Sequence, residues 1–234
     1  MRAMSERIEG RAVGVIVAAG SSRRMDGVDK VFTTLAGRPL LAWTLAAFKK
    51  CDAIDGIVIV ASASGIDRMG AFVREWRMPK IEAIVGGGET RQESVRAGIE
   101  AATDAVIVGI HDGARPLVTP ELIARGVEEA REHRAVVCAV PSRDTVKQVD
   151  GDRVVRGTLD REGVWLAQTP QVFERELLLE AHRRAEATAT DDAALVEALG
   201  HEVRVYEGDP SNLKVTTAMD LVAAEALLRA RFDG

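Results

Sequence analysis

The strongest constraint on this chain is its alternation of short, continuously apolar runs with segments of helical spacing, kept up over most of its length. Strands are expected at Val13–Ala18, Gly56–Ala61, Ile81–Val85, Ala105–Ile110, Ala135–Val140 and Val203–Tyr206, and helices at Leu40–Lys50, Ile66–Trp76, Arg91–Ala102 and Pro120–His133. Strands that lack polar alternation are buried on both faces, and parallel strands need a crossover helix between them. The order therefore predicts an α/β fold with a mostly parallel sheet covered by helices on both sides.

Local chemistry supports the helix starts. Thr90 with Glu93 forms a capping box, and Thr119-Pro120-Glu121 supplies an N-cap, a first-turn proline and an acid near the helix dipole. Thr217 with Asp220 repeats the box before Ala218–Arg231, where Leu221, Val222, Leu227 and Leu228 are expected to form an apolar face. The stretch from Pro141 to Val155 breaks the alternation. It reads as a polar hairpin turning at Asp150-Gly151-Asp152, an arm at about 141–165 that reaches a second subunit or else stands in solvent. With no repeat, low-complexity tract or linker, residues 1–234 read as one domain with an arm.

The 234 residues carry a net charge of −5, so no general basic field favours nucleic acid or a membrane surface. An anionic ligand must be held by a local cluster of cations. No segment has the apolar length of a signal peptide or a membrane span, and Cys51 and Cys138 lack CxxC spacing. A cytoplasmic protein with two buried thiols is the expectation.

Five stretches carry candidate chemistry. The first strand ends in Ala18-Ala19-Gly20-Ser21-Ser22-Arg23-Arg24, with Lys30 soon after. Small residues at a strand's carboxyl end let backbone amides approach a phosphate, and Arg24 and Lys30 add fixed charge; a solvated basic loop is the alternative. Gly86-Gly87-Gly88-Glu89-Thr90-Arg91 leaves backbone open to a flat group, with Ser94 one turn further on, although glycines equally suit a plain turn. His111-Asp112-Gly113-Ala114-Arg115 closes another apolar strand. Asp112 there suits a divalent cation beside ligand phosphates or else a plain turn or cap, Arg115 a second anion, and His111 a structural hydrogen bond. In Asn212-Leu213-Lys214-Val215 a surface lysine is the usual outcome, but an extended backbone would turn the two apolar neighbours away from Lys214 and aim its ammonium into a cleft. Thr190-Asp191-Asp192 reads as a helix N-terminus, suited to an anion or to plain capping. GxSxG, HExxH, GxGxxG and Cys/His clusters are absent from the sequence. Cations, glycines and one aspartate without a nucleophile suit chemistry in which the substrate supplies the nucleophile, such as nucleotidyl transfer.

The motifs AAGSSRRM (18–25), DKVF (29–32), GGGETRQESV (86–95), HDGARP (111–116), PSRDTVK (141–147), TLDREGVWLAQTPQVF (158–173), TDDAALVE (190–197) and NLKVTT (212–217) together resemble the 2-C-methyl-D-erythritol 4-phosphate cytidylyltransferases of non-mevalonate isoprenoid synthesis. The resemblance implies a Rossmann-like, GT-A-like nucleotidyltransferase fold. CTP with Mg²⁺ and a polyol phosphate would be the ligands, in a homodimer joined through the arm. It implies that Arg24 and Lys30 stabilise transition-state charge, and that Arg161 and Lys214 position the sugar phosphate. Ala18, Ala19, Gly20, Ser22, Gly88, Glu89, Ser94 and Gly113 would line the nucleotide pocket. Asp112 would support Mg²⁺ and substrate hydroxyls, with Arg115, Thr145 and Thr190 completing the acceptor site. Asp29 stands where the family usually has proline, Gly113 where alanine is common, and Glu89 where aspartate is common. Ribitol 5-phosphate as the acceptor, and a non-catalytic nucleotide-binding protein, are the alternatives.

Overall fold

The structure, a computed structural model, describes residues 7–20 and 30–232. Ser22, Arg24 and Asp29 lie outside the described residues. In chain order the elements are β1 (Ala12–Ala18), β2 (Thr34–Leu35), β3 (Arg38–Pro39), α1 (Leu40–Lys50), β4 (Gly56–Ala61), α2 (Ile66–Glu75), β5 (Ile81–Gly86), α3 (Arg91–Ala101), β6 (Ile107–Asp112) and α4 (Pro120–His133). They continue as β7 (Ala135–Pro141), β8 (Lys147–Val149), β9 (Val155–Thr158), β10 (Trp165–Glu174), α5 (Arg175–Arg184), α6 (Asp192–Ala198), β11 (Arg204–Glu207) and α7 (Ala218–Phe232).

Seven strands form one sheet in the order β11-β7-β10-β6-β1-β4-β5. All run the same way except β10, which is antiparallel to both β6 and β7. Side chains leave β1 alternately, so the strand feeds two cores. Ala12, Ile16 and Ala18 join Leu41, Leu45 and Phe48 of α1, Met69 of α2 and Ile123 of α4 on one face. Val13 and Val15 meet Val95 and Ile99 of α3, Leu178 of α5 and Val196 of α6 on the other. A smaller cluster joins Leu35, Leu40 and Leu117 to Val215, Ala224 and Leu228, and so seats α7 and the 213–215 segment beside the β2–β3 hairpin.

The mostly parallel sheet and the helices at Leu40–Lys50 and Pro120–His133 match the sequence reading, as do the capping boxes. The apolar face of α7 differs. Leu228 and Ala224 are buried with Leu221 packed beside them, while Val222 and Leu227 are exposed, because residues 221, 224 and 228 share one helical stripe and 222 and 227 flank it. β10 and α5 were not expected. Pro170 argues against an interior strand, and the pairing of β10 with β7 shifts register between Ala167 and Gln171 around it. The 141–165 segment holds the antiparallel pair β8–β9, with Asp150 accepting hydrogen bonds from the Asp152 and Val154 amides at the turn.

Helix α3 lies close on the sheet at Gly98, where a Cβ would fall 2.3 Å from Val15 Cγ1 and 2.8 Å from Val60 Cγ2. Both valines are buried and stiff at χ1, so neither can yield. Gly98→Ala should therefore destabilise the fold by about 1–3 kcal/mol. Urea unfolding checks this, and an unchanged midpoint would show that α3 can lift without cost.

Candidate active site

The chain runs from β1 outward to β4 and β5, then returns to place β6 on the other side of β1. Connections leaving β1 and β6 therefore diverge, and a crevice opens at the carboxyl ends of these two strands. Val17 pairs with Asp112 across it. A cleft of about 590 Å³ occupies this position, lined by Ala18, Ala19 and Gly20 at the end of β1, by Lys30, by Gly88, Glu89, Arg91 and Ser94 around the start of α3, by Asp112 at the end of β6, and by Lys214. The glycines after β5 are needed for approach as much as for turning. A Cβ on Gly87 would lie 2.5 Å from Ser94 Oγ and 2.6 Å from Ala19 Cβ, so any side chain there would push the two loops apart.

Asp112 is the electrostatic centre. Lys214 Nζ lies 3.0 Å from its Oδ2, Arg115 Nε 3.4 Å from the same oxygen, and Arg91 Nε 3.7 Å from Oδ1. Burial alone would raise the carboxyl's pKa, but Lys214, Arg91 and Arg115 outweigh it and hold the value down to about 2. Asp112 is therefore ionised throughout the physiological range. Its backbone is fixed as well. The Asp112 N–H donates to Thr169 Oγ1 at 3.1 Å, and that hydroxyl lies 3.0 Å from His111 Nδ1. The Arg115 carbonyl, 3.3 Å from His111 Nε2, can only accept, so Nε2 carries the ring proton and Nδ1 accepts from the Thr169 hydroxyl. His111 is thus the structural histidine that the sequence suggested, held neutral.

Lys214 reaches the cleft as its neighbours require. Val215 is buried and Leu213 packs with it, Val215 N–H donates to the Ala114 carbonyl, and the lysine between them projects to Asp112. Lys30 arrives from the other wall, its ammonium donating to the Thr216 carbonyl at 3.1 Å. Gly113 lies beneath the crevice, where a Cβ would be 3.1 Å from the Val17 carbonyl oxygen. Arg115 is turned inward: its Nη1 donates to the Asn212 carbonyl at 2.8 Å, so it braces the Lys214 segment as well as Asp112. Thr145, Arg161 and Thr190 are exposed and do not line this cleft. Arg161 lies at the base of the 141–165 segment, donating to the Arg143 carbonyl at 3.4 Å, and Thr190 directly precedes Asp191, the N-cap of α6.

Two contributors escaped the sequence reading. Arg91 was visible in GGGETRQES only as the exit of a turn. Thr169 sits beside a proline in a stretch with no strand signal. Neither residue type announces a role without the partners that the fold supplies.

His111 sets a pH signature. Burial lowers its pKa to about 4, with Arg115 and Lys214 adding to the shift and Asp112 opposing it. As pH falls from the ordinary imidazole value of 6.5 toward 4, the unfolded chain takes up a proton that the folded chain refuses, so stability is lost across that window. His111→Gln should flatten the urea-unfolding stability profile between those pH values. A variant profile as steep as the wild type's would assign the acid sensitivity elsewhere.

Comparison with known proteins identifies the family. The family described as 2-C-methyl-D-erythritol 4-phosphate cytidylyltransferase matches residues 12–230. A protein of that name from Dehalococcoides mccartyi is 45% identical over 215 residues, covering 92% of this chain and 95% of its own length. One from Halalkalibacterium halodurans is 46% identical over 218 residues, again covering 92% and 95%. Among solved structures, the 4-diphosphocytidyl-2C-methyl-D-erythritol synthase of Anaerococcus prevotii superposes with a TM-score of 0.84 at 31% identity, over 94% of this chain and 99% of that one. The 2-C-methyl-D-erythritol 4-phosphate cytidylyltransferase of Thermus thermophilus gives 0.75 at 35% identity, over 95% and 99%. With sequence and fold in agreement, the chain belongs to the 2-C-methyl-D-erythritol 4-phosphate cytidylyltransferase family.

Proposed function

We propose that the chain joins CTP to 2-C-methyl-D-erythritol 4-phosphate, releasing pyrophosphate and forming the cytidine diphosphate ester of methylerythritol. The observation that carries this reading is the ring of Lys214, Arg115 and Arg91 around one ionised carboxylate, in a crevice whose other wall is the small-residue end of β1. A phosphate oxygen of the acceptor attacks the α-phosphorus of CTP, the bond to the β-phosphate oxygen breaks, and pyrophosphate leaves with that electron pair. The nucleophile is already an anion, so no protein base is required. The protein's part is to align the phosphates and to neutralise charge that gathers on them. Lys30 meets the triphosphate from one wall and Lys214 orients the acceptor phosphate from the other; Arg24, outside the described residues, is assigned to the triphosphate as well.

Mg²⁺ fits this donor set. The described residues hold no group of three or more His, Cys, Asp or Glu side chains close enough to cage a metal ion, so the ion must take most of its ligands from the nucleotide. Asp112 offers a hard, ionised oxygen, and its Oδ1 faces Arg91 at 3.7 Å, beyond hydrogen-bonding reach. Bound there with CTP, the ion would neutralise phosphate charge.

We further assign the 141–165 arm to the contact between two copies of this chain. Val149, Val154, Val155, Trp165 and Leu166 on and beside it are exposed apolar side chains, and its Thr145 and Arg161 do not line the cleft of their own subunit. A partner's arm would bring such residues to the acceptor side. No helix among the described residues is long and apolar enough to cross a membrane, and both substrates are charged metabolites, which supports a cytoplasmic reaction.

Pyrophosphate release from CTP, measured with methylerythritol phosphate and with ribitol 5-phosphate, tests the reading; turnover with the second alone, or with neither, would overturn it. Lys30→Ala and Lys214→Ala should each lower kcat by roughly a hundredfold or more, with both variants folded by circular dichroism. A rise in KM at constant kcat would reduce them to binding residues. Deleting Asp144–Arg156 should give a monomer by light scattering together with loss of turnover, and a fully active dimer would refute the shared site.

A further inference from the structure

We propose that Arg91 and Gln92, in the first turn of α3, are positioning residues that set the distance between the nucleotide side of the cleft and the segment carrying Thr190, which lies beside the cleft and which the family resemblance assigns to the acceptor. The inference rests on the functional reading above. The first turn of α3 borders the nucleotide side, since Glu89 and Ser94 line the cleft immediately before and after it. It is rigid at its start, where Thr90 Oγ1 accepts from the Glu93 N–H and Glu93 Oε2 accepts from the Thr90 N–H. From this turn two contacts cross to the segment that carries Thr190. Arg91 Nη2 donates to Asp192 Oδ2 at 2.8 Å, and Gln92 Oε1 accepts from the Ala189 N–H at 3.2 Å. They land on either side of Thr190 and so bracket it.

The far end of this strap is anchored in turn. Asp192 is buried, with Nε2 of the buried His182 3.3 Å from its Oδ1. Gln171 of β10 donates to Asp191 Oδ2 at 2.8 Å and accepts from the Ala193 N–H at 3.1 Å. The backbone on either side of Thr190 is therefore held to the sheet by Gln171 and to the nucleotide loop by Arg91 and Gln92.

Arg91 does a second thing that its charge alone would not achieve. Its planar fork spans two carboxylates: the hydrogen bond to Asp192 keeps its Nε at 3.7 Å from Asp112 Oδ1, close enough to neutralise and too far to hydrogen-bond. Burial works against the Arg91 charge, and Asp192 and Asp112 more than restore it. Without Asp192, the guanidinium would close on Asp112 Oδ1 and occupy the oxygen that faces the ligands. A lysine, with one point of charge, could serve only one of the two carboxylates.

The test is steady-state pyrophosphate release with both KM values and kcat resolved, alongside CTP affinity by calorimetry and the melting temperature of each variant. Gln92→Ala removes one bond to the Thr190 segment and should raise KM for methylerythritol phosphate severalfold while leaving CTP affinity unchanged. Asp192→Asn and Arg91→Lys should each lower kcat/KM for the acceptor by roughly tenfold to a hundredfold. The double variant should be no worse than the more damaged single one, because both remove the same tether. Losses that follow CTP affinity, losses that multiply in the double variant, or folded variants with wild-type kinetics would overturn the proposal. Should Asp192→Asn fail to fold, Arg91→Lys and Gln92→Ala decide the matter by the same KM and affinity readouts. A wild type that releases no pyrophosphate overturns the functional reading and this inference with it; a normal wild type with normal variants overturns the inference alone.

Discussion

Placing a carboxylate at the end of a central strand carries a desolvation penalty of several kcal/mol unless opposite charge meets it, and most of this site follows from how Asp112 is met. Its three cations come from three separate parts of the chain: Arg91 from α3, Arg115 from the turn after β6, and Lys214 from the segment before α7. Satisfying one side chain therefore fixes three loops relative to one another. Arg115 extends the restraint to the Asn212 carbonyl, and Lys30 joins it through the Thr216 carbonyl. The result is a cluster of cations already gathered before any phosphate arrives. Such preorganisation is what transfer between two phosphates demands of a protein, since charge must be neutralised without reorganisation at the moment of reaction.

The cluster holds an excess of positive charge that a ligand can use. Lys214 is its most accessible member, half-exposed where the Arg115 side chain is only 11% exposed. The division of labour follows from that exposure: Arg115 holds the frame, and Lys214 can exchange Asp112 for a phosphate. Thr169 and neutral His111 complete the frame from beneath without adding charge.

Much of this was legible in the sequence because it depends on local rules. The parallel strands announced themselves as uninterrupted apolar runs, and Thr90 and Thr119 as caps. Lys214 stood out because Leu213 and Val215 had to be buried and so turned it outward. What stayed hidden depends on distant partners. Nothing near Arg91 indicates that Asp192, 101 residues later, will share its guanidinium with Asp112. β10 was masked by its own Pro170, which a strand tolerates only because the ladder shifts register there. Val222 and Leu227 are as apolar as their neighbours, but the small cluster under α7 accepts only the stripe through Leu221, Ala224 and Leu228.

The reversed strand β10 also bears on the order in which the chain can assemble. β7, the hairpin β8–β9 and β10 follow one another along the chain, and Trp165 pairs with Pro141 across a loop consisting of that arm alone. The pairing of β1 with β6, by contrast, joins Val13 to Val108 and must wait for the intervening helices and strands. Closing the shorter loop surrenders less chain entropy, so the antiparallel half is favoured to nucleate first and the parallel half to zip on afterwards. The crevice that holds Asp112 opens between β1 and β6, the pairing that must wait, which makes the reacting centre one of the last parts of the molecule to take shape.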